Sequence, residues 1–179
     1  MIPNNEQISL SLIDEEWPLL YTDHDRKIAR AVVFDGAGYF YFVRAERDDD
    51  FGRATLIETS GGGVEKCERP EEAILRELCE ELGAKAEIIT KIGVVSDYYN
   101  LIHRHNINNF FLCRVISLGD KHLTEDEIEQ FHLSTLRLSY EEALKEYDKN
   151  LKTKLGRIIR SRELPILLRA KEILDNIEE

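Results

Sequence analysis

Apolar residues first cluster regularly between residues 27 and 43. Lys27–Phe34 is rich in β-branched and aromatic side chains, and Tyr39–Val43 is apolar throughout. Between them, Asp35–Gly38 carries the residues that tight turns favour. The pattern therefore predicts a β-hairpin.

Residues 1–25 have a weaker pattern. Ile8, Leu10 and Leu12 alternate with serines, as they would in a strand. Trp17–Tyr21 is apolar and carries a proline, which favours a packed extension over a catalytic element. We expect residues 1–25 to form an N-terminal extension that packs on a single domain built from residues 26–179.

Strand-like and helical patterns share the rest of the chain. Arg44–Arg53 is highly charged and predicts a solvated loop, and Ser96–Asn106 predicts a second polar loop. Tyr140–Tyr147 predicts a short helix that begins at Ser139 with a capping box, and Leu164–Ile177 predicts a closing amphipathic helix. Further strands are predicted at Ala54–Glu58, Glu87–Val95, Asn109–Ile116 and Glu127–Leu138.

One segment combines signals for a helix with a run of glycines and several glutamates. Gly61–Gly63 precedes it, and Pro70 suits the first turn of a helix because the missing N–H would be unpaired there anyway. Gly83 suits the end, since helices often finish on a residue with positive φ. The spacing predicts a helix over residues 70–82.

A helical wheel gives this predicted helix an acidic flank beside its apolar arc. Glu77, Glu80 and Glu81 lie one turn apart, where like charges repel by about a few tenths of a kcal/mol per pair. A divalent cation would turn that repulsion into coordination, and oxygen ligands suit Mg²⁺ or Mn²⁺. By itself, such a cluster fits a solvated face equally well. The apolar arc comprises Ile74, Leu75, Leu78 and Leu82.

The whole segment Gly62–Ala84 resembles the Nudix box. Five residues separate its first glycine from Glu68, and seven more lead to Arg76-Glu77. An apolar residue, one further residue, Glu80-Glu81, one more residue and Gly83 follow at the spacing of the box. Every fixed position of the box is matched.

The resemblance has two departures at its edges. Relatives commonly carry proline before the glycines, where this chain has Ser60. They often carry glycine before the first box glutamate, where this chain has Cys67. Neither position supplies a carboxylate, so we expect an altered loop conformation and an intact metal site.

The resemblance implies a fold and an activity. The fold is a Nudix-like α/β/α sandwich with a mixed central β-sheet, the box helix on one face and the closing helix elsewhere on the sheet. The activity is divalent-metal-dependent hydrolysis of a pyrophosphate bond in a nucleoside di- or triphosphate derivative. The alternative is a non-catalytic Nudix-fold module that binds or senses a nucleotide. Loss of box carboxylates would favour that alternative, and all are present.

The resemblance also implies roles for individual residues. Glu77, Glu80 and Glu81, together with the Gly62 carbonyl, would hold Mg²⁺ or Mn²⁺. Arg76 would brace Glu77 or the glycine loop (Gly61–Gly63), and would support catalysis without contacting the substrate. The general base is either Glu77 or an acidic residue of a later loop, with Glu127 selected from four neighbours: Glu125, Asp126, Glu127 and Glu129.

Candidate substrate-binding residues lie outside the box helix. We expect the pocket between that helix and the predicted loops around residues 44–53, 96–106 and 118–129. Histidine and arginine can contact phosphate and tyrosine can stack on a base, although all three are also common in cores and on surfaces. The candidates are Arg30, Arg44, Gly63, Tyr99, His103 and His105.

Composition narrows the partners and the location. The net charge of −11 argues against binding to nucleic acid polymers or anionic membranes, but a small nucleotide needs only local arginines and a metal. The three cysteines lack metal-ligand spacing and fit the reduced thiols of a cytoplasmic protein. Residues 1–6 lack the features of a secretion signal. The sequence leaves open whether the protein is a monomer or a homodimer.

Overall fold

The computed structural model describes residues 6–178; the other residues of the predicted extension and Glu179 lie outside this range. A single-turn 3₁₀ helix spans Asn100–Ile102. The α-helices are α1 (Pro70–Leu82), α2 (Glu125–Glu129), α3 (Tyr140–Asn150) and α4 (Lys154–Glu178). The strands are β1 (Ile8–Ser11), β2 (His24–Phe34), β3 (Phe40–Asp49), β4 (Gly52–Glu58), β5 (Ser60–Gly63), β6 (Ala84–Tyr99), β7 (Arg104–Leu118) and β8 (Ser134–Leu138).

The strands of residues 6–178 form one mixed sheet. Its order is β1-β6-β7-β2-β3-β4, with β5 paired to β2 and β8 paired to β3. β1 runs parallel to β6 and β2 parallel to β7, and the remaining pairs are antiparallel. The predicted hairpin is confirmed, with Val33 opposite Tyr41 where β2 and β3 pair.

Helices cover both faces of this sheet. Successive strand residues point to opposite faces, so Ala31 and Val33 of β2 face one layer while Val32 faces the other. α1 packs its Ile74 on the first layer, and α4 packs its Ile166 on the second. The predicted α/β/α sandwich with a mixed sheet is therefore confirmed.

α1 coincides with the helix predicted over residues 70–82. It ends at Gly83, whose φ of 64° is the left-handed conformation that stops a helix. One side chain of the predicted apolar arc was misassigned, because Leu75 is exposed while Ile74 and Leu78 are fully buried. The arc that packs on the sheet is thus narrower than predicted.

Two predicted loops are largely strand. Residues 44–53 continue β3 and begin β4, and only a tight turn at residues 50–51 separates the strands. Residues 96–106 likewise belong mostly to β6 and β7, joined by the 3₁₀ turn. The polar residues of the first pair of strands are mostly exposed, whereas Asp97 and Asn106 of the second pair are buried, so polarity did not mark a loop in either case.

The carboxyl-terminal third also differs in detail from the prediction. Residues 127–138, predicted as one strand, contain the end of α2 and then β8. The capping box at Ser139 is confirmed, since its hydroxyl accepts the Glu142 N–H and the Glu142 carboxylate accepts the Ser139 N–H. α4 begins ten residues before the predicted Leu164 and contains Pro165 in its interior. No helix within residues 6–178 is both long and apolar enough to cross a membrane.

Candidate active site

Close packing explains the glycines of β5. Gly61 lies against β2, where a Cβ would fall 2.7 Å from the Cα of Arg30. Gly62 lies under the carboxylate of Glu77, and a Cβ there would fall 2.6 Å from Cδ of that side chain. Any larger residue at position 62 would push Glu77 away. The strand and α1 therefore place this carboxylate directly over the backbone of the glycine loop.

Glu81 lies one turn further along α1 and is held by the same loop. Its Oε2 accepts a short hydrogen bond from the Ser60 hydroxyl and another from the Gly61 N–H at 3.0 Å. Burial raises the pKa of Glu81 to about 8, although both hydrogen bonds act to lower it. The departure from proline at Ser60 thus supplies a hydroxyl donor to a buried carboxylate.

Arg76 braces the loop and the acidic flank together. Its guanidinium donates to both carboxylate oxygens of Glu68 at 2.9 and 3.0 Å and to the Gly63 carbonyl at 3.1 Å. It also donates to Glu77 at 2.8 Å and to Glu80 at 3.2 Å. Burial raises the pKa of Glu77 while the Arg76 charge opposes that rise. The contacts fit the bracing role predicted for Arg76.

The second departure, Cys67, also has a structural counterpart. Its φ is 67°, in the left-handed region that glycine tolerates best. The turn between β5 and α1 therefore keeps the same backbone conformation that a glycine would adopt easily.

The donor set of the acidic flank fits a hard divalent cation. Glu77 and Glu81 are mostly buried and lie one turn apart, and burial raises the pKa of both carboxyl groups. Within residues 6–178, however, no three His, Cys, Asp or Glu side chains are already arranged as a metal site. Glu80 is turned toward Arg76. The carboxylates are thus assembled on one flank without converging on one point.

A cleft of about 290 Å³ lies beside the glycine loop. It extends from Gly61 and Glu81 to Tyr99, at the end of β6. All three segments predicted to flank the pocket contribute to its lining, through residues of β3, of β6 and β7, and of α2. Its arginines are Arg26, Arg30, Arg47 and Arg104.

Some predicted substrate-binding residues meet at this cleft. Arg30 and Tyr99 both line it. The Gly63 carbonyl is occupied by Arg76, and the Gly63 Cα faces the Arg26 guanidinium. Glu127 also lines the cleft, and its negative charge contributes to the raised pKa of Glu77.

Three other predicted residues lie elsewhere. Arg44 borders a separate depression beside α3 and pairs with Glu46 at 3.8 Å. The His103 ring stacks on Tyr21. His105 contacts Asp25 at 2.8 Å and Ser96 at 2.6 Å through its two ring nitrogens. The structure does not bring these side chains to the cleft.

Arg104, between the two histidines, does line the cleft. Sequence reasoning selected its neighbours because residues 96–106 were interpreted as a loop. In a strand, alternate residues face opposite sides, so Arg104 cannot share the direction of His105. Arg26 and Arg47 were missed for a related reason, since they extend β2 and β3 beyond the predicted hairpin. The alternation along β2 from Arg26 through Ile28 to Arg30 is the signal that could have revealed them.

A buried polar network supports the cleft from the α4 side. The Glu163 carboxylate accepts the Thr59 N–H at 2.7 Å, and the Thr59 carbonyl accepts from Arg30 at 3.1 Å. Arg162 donates to Glu163 at 2.8 Å and to Asp97 at 3.1 Å. The peptide that leads into the glycine loop is therefore held from both sides.

Comparisons with known proteins agree with this architecture. A model of the NUDIX domain matches residues 24–157, more than half of the chain. No curated protein gives a significant match. Among solved structures, a NUDIX hydrolase from Nitrosomonas europaea is similar with a TM-score of 0.61 and 15% identity, covering 85% of this chain and 89% of that one.

Two further solved structures have the same fold. The MutT protein from Methanosarcina mazei Go1 gives a TM-score of 0.57 at 19% identity, over 87% of this chain and 97% of that one. A MutT NUDIX hydrolase from Burkholderia pseudomallei gives 0.54 at 22% identity, over 66% of this chain and 86% of that one. With the family model covering most of its length and the box residues assembled at the glycine loop, the chain belongs to the NUDIX family.

Proposed function

We propose that this protein is a divalent-metal-dependent hydrolase that cleaves a pyrophosphate bond in a nucleoside di- or triphosphate derivative. One observation carries the proposal. Glu77 and Glu81 are buried along one face of α1, where they contact the glycine loop. That loop borders an arginine-lined cleft. Clustered carboxylate oxygens suit a hard divalent cation, and the arginines suit phosphate.

Glu77, Glu80 and Glu81 would hold Mg²⁺ or Mn²⁺, with the Gly62 carbonyl as a further oxygen ligand. The bound ion supplies charge neutralisation at the phosphate oxygens. Arg76 keeps Glu77 and the glycine loop in fixed relative positions through its contacts to Glu68 and the Gly63 carbonyl. Such bracing matters because a displacement of about 1 Å can cost on the order of 100-fold in rate.

Two residues are candidates for the base that activates water. Glu77 lies at the glycine loop, whereas Glu127 lies on the cleft lining, with one oxygen accepting the Thr124 N–H at 2.7 Å. A base must act on a water near the phosphorus, so Glu127→Gln should lower kcat with little change in metal affinity. Glu77→Gln should lower both. Metal titrations of the two variants separate these roles.

The substrate is a small molecule that fits the cleft of about 290 Å³. The net charge of −11 favours this over a nucleic acid polymer or a membrane surface. Three free cysteines support a reducing, cytoplasmic location.

The test is a turnover screen over nucleotide pyrophosphates with Mg²⁺ or Mn²⁺, with products identified by ³¹P NMR. Glu77→Gln and Glu81→Gln should each lower kcat by about 100-fold, or roughly 3 kcal/mol of transition-state stabilisation, because each removes a charged metal ligand. Chelation should abolish turnover and added metal should restore it. Glu71→Gln is the matched control, since Glu71 is an exposed residue of the same helix.

A nucleotide-binding module without turnover is the second candidate. It is favoured by Arg76, which already engages both Glu77 and Glu80, so that the carboxylates do not converge. This reading predicts nucleotide binding without hydrolysis at any metal concentration. Near-full turnover in the Glu77→Gln and Glu81→Gln variants would also refute the catalytic assignment.

A further inference from the structure

Two arginines of the cleft have no ion-pair partner among the described residues. Neither Arg26 nor Arg104 forms an ion pair with any carboxylate of residues 6–178. They lie on the neighbouring parallel strands β2 and β7, where Arg26 is opposite Asn106 and Arg104 lies two residues before it. Side chains two residues apart share a face of the sheet, so both guanidinium groups belong to the same side.

The other two arginines of the cleft are compensated. Arg47 donates two hydrogen bonds to Asp49 at 2.8 and 2.6 Å. Arg30 donates to Glu58 at 3.4 Å and to the Thr59 carbonyl at 3.1 Å. These contacts define their positions within the protein itself. Arg26 and Arg104 therefore differ from them in having charge left for a ligand.

Arg104 is also held in an unfavourable place for an unpaired cation. Its Nε is buried and has no hydrogen-bond partner in the described part of the chain, and its guanidinium lies 5.2 Å from the centre of the Tyr99 ring. Burial lowers the pKa of Arg104, and the neighbouring charges of Arg26 and Arg30 lower it further. A buried donor without a partner costs free energy unless a ligand satisfies it.

We propose that Arg26 and Arg104 bind a phosphate group additional to the pyrophosphate that is cleaved, so that the substrate contains three or more phosphates. This inference rests on the proposed function for the identity of the reaction. A phosphate group carries up to about two negative charges and several acceptor oxygens, which matches two unpaired guanidinium groups. A nucleoside diphosphate linked to a neutral sugar would leave both charges unbalanced. Nucleoside triphosphates and dinucleoside polyphosphates both contain the additional phosphate that the two arginines would bind.

Binding of inorganic tripolyphosphate tests the subsite without any need for turnover. Titration calorimetry in the presence of a chelator should detect binding to the wild-type protein. Arg26→Gln and Arg104→Gln should each weaken it about 10-fold or more, because each removes charge-assisted hydrogen bonds. Arg53→Gln is the matched control: Arg53 is an exposed arginine of β4 outside the cleft, and its loss should leave the affinity unchanged. Arg104→Gln should retain the wild-type Tm, since it removes repulsion.

Inorganic diphosphate separates this subsite from the site of cleavage. Its affinity should fall less than that of tripolyphosphate in both variants. Equal losses for the two anions would mean that the arginines bind the cleaved pyrophosphate, and the proposal would be wrong. Wild-type affinity for tripolyphosphate in both variants would also overturn it.

Turnover then distinguishes the sources of the additional phosphate. In the wild type, kcat/KM should be higher for a nucleoside triphosphate or a dinucleoside polyphosphate than for a nucleoside diphosphate sugar, and the two variants should reduce that preference. A higher value for the diphosphate sugar would refute the subsite. Absence of all turnover, with the predicted losses of tripolyphosphate binding, would refute the proposed hydrolase and leave the subsite standing.

Discussion

Replacing Arg162 with methionine should cost about 3–5 kcal/mol of unfolding free energy. The Arg162 side chain is completely buried and lies between two carboxylates that are themselves at most 2% exposed, those of Asp97 and Glu163. Its hydrogen bond to the Tyr99 hydroxyl, at 2.7 Å, would be lost as well. Methionine keeps a similar length, so the loss comes from uncompensated charge and little of it from a cavity.

Urea unfolding followed by circular dichroism measures this effect. For a domain of this size, a loss of about 3–5 kcal/mol corresponds to a decrease in Tm of about 6–20 °C. Arg160→Met on the same helix is the matched control, because Arg160 pairs with Asp148 at the surface. Surface pairs contribute about 1 kcal/mol or less. A loss below about 1 kcal/mol for Arg162→Met would refute the claim that Arg162 compensates the buried carboxylates.

Two further predictions concern the glycine loop. Gly62→Ala should lower kcat by about 10-fold or more, because the added methyl group would displace the Glu77 carboxylate. Gly36→Ala is the control and should have no effect, since Gly36 has open space around it. Equal activity of the two variants in the turnover assay would contradict the packing argument. In metal-free protein, folded Glu81 keeps its proton up to pH about 8. The unfolded chain loses it near pH 4.3, so the unfolding free energy should fall as pH rises from about 5 to 8, by at most about 1.4 kcal/mol per unit. Urea titrations with a chelator should find this slope reduced in Glu81→Gln, and an unchanged slope would contradict it.

Local signals made the centre of the fold predictable. Pro70 and Gly83 bracket α1 at the predicted bounds, because both act on the backbone of their own helix. The hairpin of β2 and β3 and the capping box at Ser139 are likewise specified by nearby residues. The box spacing identified the carboxylates of the acidic flank without any knowledge of the sheet.

Long-range pairing was harder to predict. Arg162 and Glu163 are charged residues, which a sequence pattern assigns to solvent, and their burial depends on each other and on Asp97. The closing helix was predicted to begin at Leu164, whereas α4 begins at Lys154 and carries Pro165 in its interior, where a sequence pattern does not expect proline. Residues 104–106 were interpreted as part of a loop, so the alternation of side chains along β7 was not applied to them. That alternation places Arg104 at the cleft.

The contacts of Thr59 with Glu163 and Arg30 determine how much of the chain the folded domain needs. The family match ends at residue 157, yet Glu163, which accepts the Thr59 N–H, lies beyond that limit. A chain shortened to residue 157 would keep every residue of the box and lose the partner of the peptide that leads into it. Arg30, on the other side of that peptide, would lose a neighbouring carboxylate at 3.6 Å. The region recognised by sequence similarity is therefore smaller than the unit that must fold together to hold the glycine loop.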